Sequence, residues 1–147
     1  MTSNFNPRPL LKKDLQYMLQ ENLMGDLGKL LFEKSFTEEN YQNYKEYSNG
    51  VLNLDLFIKS NSDVKPNNYG FLILHENNYK HRLDDLKNAL QTCNYLYIII
   101  DLKKRNHLYD LLIEENLEEI GIIGTLSSYQ LDLCRRAKWR KSERELI

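Results

Sequence analysis

Apolar residues recur every three or four positions from Pro9 to Lys34, through Leu10, Leu11, Leu15, Met18, Leu19, Leu23, Leu27, Leu30 and Leu31. A 3.6-residue period gathers such positions on one side of a helix, so the pattern predicts an amphipathic helical segment. Gly25 and Gly28 are placed to split it in two. Thr37 to Asn40 breaks the pattern, and the tyrosine-rich Tyr41 to Tyr47 predicts a first strand. Asn49-Gly50 is a hairpin signal. It leads into Val51 to Ile58, in which Leu52, Leu54, Leu56 and Ile58 alternate onto one face. A polar loop follows from Ser60 to Asn68, and Tyr69 to Glu76 predicts another strand.

Lys80 to Cys93 returns to helical spacing through Leu83, Leu86, Leu90 and Cys93. Tyr95 to Asp101 is a nearly continuous apolar run, the pattern of a strand covered on both faces. His107 to Glu115 predicts a short helix, Ile120 to Gly124 a buried strand, and Tyr129 to Leu133 a final strand or extended arm. Arg135 to Leu146 reads as a charged tail compatible with a helix. A meander followed by strand-helix-strand crossovers predicts an α/β fold, with a mixed central sheet and helices on its faces. The 147 residues suit one domain, with a helical segment at 1–36, a core at 40–134 and a basic tail at 135–147.

Composition narrows this picture in three places. Hydrophobic residues at 41% and charged residues at 28% exclude wholesale disorder. Twenty Lys plus Arg against 21 Asp plus Glu exclude a generally basic nucleic-acid coat, while a local basic patch stays open. No apolar stretch exceeds Tyr95 to Ile100, so no membrane span is expected, and Met1 to Pro9 lacks the apolar core of a secretory signal. Cys93 and Cys134 show no CxxC spacing, which points to reduced thiols and a cytoplasmic setting.

The candidate chemistry lies in two acids on neighbouring strands. Asp55 is expected inside the second strand on the face opposite the leucines, and Glu76 at the end of the next. Neighbouring strands run about 4.8 Å apart, so such acids can converge on one hard cation. A Mg²⁺ held there would polarise a phosphate oxygen and lower the pKa of a bound water. Glu46 before the turn, or Glu21 on the first helix, are candidates to complete the site.

With these elements and residues the chain resembles the PD-(D/E)XK superfamily, the restriction-endonuclease-like fold, and within it small bacterial and phage-borne nuclease-like proteins of the MmcB type. The resemblance runs over roughly residues 40 to 140, through the segments Gly50 to Phe57, Phe71 to Glu76, Lys80 to Leu90, Asn94 to Ile100 and Gly121 to Leu133. It implies an αβββαβ core, Mg²⁺ as cofactor, DNA as partner and phosphodiester hydrolysis. It carries the metal-binding Asp to Asp55 and the acid of the (D/E)-x-K element to Glu76. The lysine of that element falls at position 78, which is Asn78. A neutral amide cannot supply the charge that stabilises the transition state, so Lys80 or Lys87 would have to replace it. The departure argues against full activity. Two alternatives stand beside the hydrolase: a non-catalytic DNA- or protein-binding module of a phage or mobile element, and an α/β interaction protein whose tyrosines form a homodimer.

Other features have simpler explanations. His75 and His81 lack a third spaced ligand for zinc. Arg82, Asp84 and Asp85 open a helix, where acids suit the positive end of the dipole. Gly121 and Gly124 have no phosphate-loop context, and Ser127 and Ser128 no relay partners. In the tail, Arg135, Arg136, Lys138 and Arg140 lie around Trp139, the sole tryptophan, a composition suited to nucleic-acid contact.

Overall fold

The computed structural model describes residues 12–48, 53–61, 67–74, 82–101, 105–125 and 130–141. Helices α1 (Lys12–Leu23) and α2 (Asp26–Leu31) come first, then strands β1 (Tyr41–Lys45), β2 (Leu56–Ser60) and β3 (Asn68–Ile73). Helix α3 (Leu83–Thr92), strand β4 (Tyr95–Asp101) and helix α4 (Arg105–Glu114) follow. Strands β5 (Gly121–Thr125) and β6 (Leu131–Arg135) complete the order. This is an α/β protein with the expected helix-strand-strand-strand-helix-strand core.

All six strands form one sheet in the order β1-β2-β3-β4-β5-β6. Strand β2 runs antiparallel to both β1 and β3; β3, β4 and β5 run parallel, and β6 turns back antiparallel to β5. The two parallel steps require crossovers, and α3 and α4 provide them. Both pack on one face, where Leu86, Ala89, Leu90, Leu108 and Leu112 cover Phe57, Leu72, Ile98 and Ile122. On the other face α1 and α2 set Leu15, Leu19, Leu23, Leu27 and Leu31 against Leu56, Phe71, Ile99 and Ile123. Burial on both faces explains why β4 reads as an unbroken apolar run. Gly28 permits the close turn between α1 and α2, since a Cβ there would overlap the carbonyl oxygen of Leu23.

Two expectations are corrected. The alternation of Leu54, Leu56 and Ile58 onto one face fails, because Leu54 joins the α3/α4 core while Leu56 and Ile58 join the α1/α2 core. The chain bends at Asp55, ahead of β2 rather than inside it, and the bend shifts the side-chain parity. The tail does not turn helical over its described part. Residues 136–141 form an extended strap held by long-range main-chain bonds, Lys138 N–H to Glu119 O at 2.9 Å and Arg140 N–H to Asn94 O at 2.9 Å.

Candidate functional site

In a sheet of this topology ligands gather beyond the carboxyl ends of the parallel strands, and Asp55 lies at that end of β3. Antiparallel pairing sets Leu56 opposite Phe71, so the residue before β2 reaches the last turns of β3. The Asp55 N–H donates to Phe71 O at 3.0 Å, and the Asp55 carbonyl accepts from Glu46 N–H at 3.1 Å and from Gln16 Nε2 on α1 at 3.0 Å. Its main chain is therefore pinned from β1, β3 and α1 together.

The carboxylate is pinned as firmly. It is 2% exposed, and its Oδ2 accepts from Ile73 N–H at 2.6 Å. Arg82, just ahead of α3, approaches the same oxygen with Nη1 at 3.5 Å. That nitrogen also donates to Ile73 O at 3.0 Å, and Nε donates to Asp85 Oδ2 at 3.3 Å. A buried carboxylate needs a counter-charge and hydrogen bonds, and a guanidinium at 23% exposure supplies charge and bridges strand to helix.

Of the other expected residues, those that the structure describes take other positions. Glu76 and Lys80 lie outside the described residues, as do His75 and His81. Lys87 is half-exposed on α3 and pairs with Glu115, Nζ to Oε2 at 3.3 Å, after the end of α4. Glu46 is exposed in a left-handed turn with φ of 51°, and it meets Asp55 through its main-chain N–H. Glu21 lines a separate cleft of about 310 Å³, shared with Asp26, Asp132 and Leu133. Among the described residues no three His, Cys, Asp or Glu side chains are grouped to hold a metal ion. In this structure the carboxylate of Asp55 is engaged by Ile73 N–H and by Arg82. The residue that sequence reasoning passed over is Arg82. Its acidic neighbours offered a sufficient local explanation, and the need of a buried Asp for a counter-charge does not name the residue that meets it.

The basic residues of the tail occupy the opposite end of the sheet. Arg135 donates through Nη2 to Ile120 O at 2.8 Å and lies over the Tyr109 ring. Arg136 is exposed and donates to Leu30 O on α2. Arg140 pairs with Glu119 at 3.1 Å, and Lys138 is exposed. The strap crosses just before β5, β4 and β3, at Glu119, Asn94 and Asn67 in turn. Five residue steps along β3 separate that end from Ile73, a span of about 17 Å.

Burial shapes the titration of the core beneath. Desolvation pushes the Cys93 thiol up to about 12, where it stays protonated. It also raises the Tyr69 and Tyr97 phenols above their ordinary value.

No protein-family model matches the chain, and no curated protein does. A solved structure of a protein of unknown function from Silicibacter pomeroyi is similar in fold, with a TM-score of 0.51 and 13% identity. The likeness covers 69% of this chain and 63% of that one. At this identity the likeness concerns the arrangement of strands and helices.

Proposed function

We propose that this chain is a restriction-endonuclease-like domain that binds DNA without hydrolysing it. The observation that carries the reading is the state of Asp55. Its carboxylate is buried and engaged by Ile73 N–H and by the Arg82 guanidinium, which already supplies it with a cation. The Asn78 that replaces the expected lysine points the same way. Asp55 then keeps the bend ahead of β2 in place, and the fold serves as a scaffold. Support for an anionic partner comes from the end of β6 and the strap, where residues 135–141 carry five cations and no acid, in a chain with 21 acids against 20 cations as a whole.

The test is incubation with supercoiled plasmid in Mg²⁺ and in Mn²⁺, read beside a gel shift. We expect a retarded complex and no nicking. Metal-dependent cleavage that disappears in Asp55→Ala and Glu76→Ala would reverse the reading and restore the hydrolase.

A further inference from the structure

Trp139 is 54% exposed on a segment that is otherwise tied down at almost every residue. Its Nε1 donates to Asn67 Oδ1 at 3.2 Å, and Asn67 is itself anchored, its N–H donating to Ser60 Oγ at 2.8 Å. Asn94, nearly buried, holds the strap from both sides: its Nδ2 donates to Arg140 O at 2.8 Å, and its carbonyl accepts Arg140 N–H. Ala137 is buried against the core, over Gly121. The indole is thus fixed by its edge while more than half of the residue faces solvent.

Scattered exposed apolar residues are ordinary, but this one has a distinctive setting. Lys138 and Lys141 are exposed on either side of it along the chain, and Arg136 is exposed two residues further back. Of the acids just before β5, Glu119 is neutralised by Arg140, and Glu118 is exposed on the far side of the strap from Asn67 in strand order. A rigid aromatic face between flanking cations matches the repeat of a single strand, whose bases stack and whose phosphates need positive partners. A duplex keeps its bases stacked on one another and offers the indole no face.

We propose that residues 136–141 form a platform for single-stranded DNA, with Trp139 stacking on a base and Lys138, Lys141 and Arg136 contacting phosphates. This rests on the DNA-binding reading above and places the contact at the amino ends of the parallel strands, away from Asp55.

Trp139 is the sole tryptophan, so its emission reports contact directly. The probe is a fluorescein-labelled 12-residue oligothymidylate, followed by anisotropy of the dye and, with the unlabelled strand, by tryptophan emission. We expect binding with quenched emission, weaker binding of the corresponding duplex, and a loss of about five- to 140-fold in Trp139→Ala with most affinity kept in Trp139→Phe. Lys138→Ala with Lys141→Ala should lower the slope of log affinity against log salt by about 1.4. Binding by anisotropy with unchanged emission, or with unchanged affinity in both variants, overturns the platform and leaves DNA binding elsewhere on the domain standing. No binding of either strand form overturns both readings. Quenching by phosphatidylserine vesicles or polyglutamate but not by oligothymidylate overturns the platform in favour of another anionic partner.

Discussion

At the scale of the residue, Asp55 and Arg82 form a pair whose two members are unequally dispensable. Removing the guanidinium takes a counter-charge from a carboxylate that is almost wholly buried. Arg82→Met should cost about 3 kcal/mol in denaturant unfolding, at the low end for a broken buried pair because the arginine keeps some solvent. Adding Asp55→Asn to Arg82→Met should recover part of that loss, since the buried charge is then gone and Ile73 N–H keeps an acceptor. A cost under about 0.5 kcal/mol for Arg82→Met would show the pair to be ornamental. Cys93 makes a second residue-scale prediction. Its thiol stays protonated in the fold up to about 12, whereas in the unfolded chain it ionises near its ordinary value of 9.0. Between those values the native state holds the extra proton, so the stabilisation is complete below about pH 9 and is lost as pH rises toward 12. Unfolding free energies measured from pH 7 to 11 should decline above pH 9, by up to about 1.4 kcal/mol per pH unit from this group. Cys93→Ala should flatten that part of the decline. The sequence singled out Asp55 correctly as an odd residue among leucines. Its partner was obscured because a salt bridge between positions 55 and 82 depends on register, which no local pattern records.

Among elements, legibility followed burial. The run Tyr95 to Asp101 coincides with β4 because a strand covered on both faces leaves no other reading. The amphipathic stretches became α1, α2, α3 and α4 with ends shifted by a few residues. The strap was read less well. Its composition is compatible with a helix, and what makes it extended is partners 20 to 100 positions away, such as Glu119, Asn94 and Leu30. Gly121 was noticed only as lacking a phosphate-loop context, yet it lets the strap cross the sheet. A Cβ there would lie 2.5 Å from Ala137 N and overlap the Tyr97 ring. Gly121→Ala should therefore lower stability by about 1–3 kcal/mol through overpacking. It should also shift Trp139 emission toward that of the denatured chain, as the strap lifts from its seat. Unchanged emission and stability would mean that the strap is not held at this crossing.

On the scale of the molecule, the sheet has two chemically different ends. The carboxyl ends of its parallel strands hold Asp55 sealed under Arg82, and the amino ends carry the cationic strap with its exposed indole. The near-zero net charge conceals this division, because acids elsewhere offset the five cations of residues 135–141. The strand directions thus set Asp55 and the basic strap at opposite ends of one sheet. The flanks of the sheet are also guarded. Edge strand β6 carries an irregular register beside Ile122 and Ile123, and edge strand β1 exposes Gln42, Asn43 and Lys45, devices that discourage edge-to-edge pairing.

The strap also bears on the lifetime of the fold. Each ladder of the sheet joins strands consecutive in sequence, so pairing advances through comparatively short closures. The strap instead joins Arg136 to Leu30, Trp139 to Asn67 and Arg140 to Asn94, across 106, 72 and 46 positions. We expect the strap to dock on a sheet already closed, because its partners Glu119, Asn94 and Asn67 lie just before strands that must first be brought side by side. Stabilisation acquired there leaves the folding rate nearly unchanged and slows unfolding. In a chevron of Gly121→Ala, the loss would then appear on the unfolding limb, with the six residues of the strap acting as a latch that sets how long the closed sheet persists.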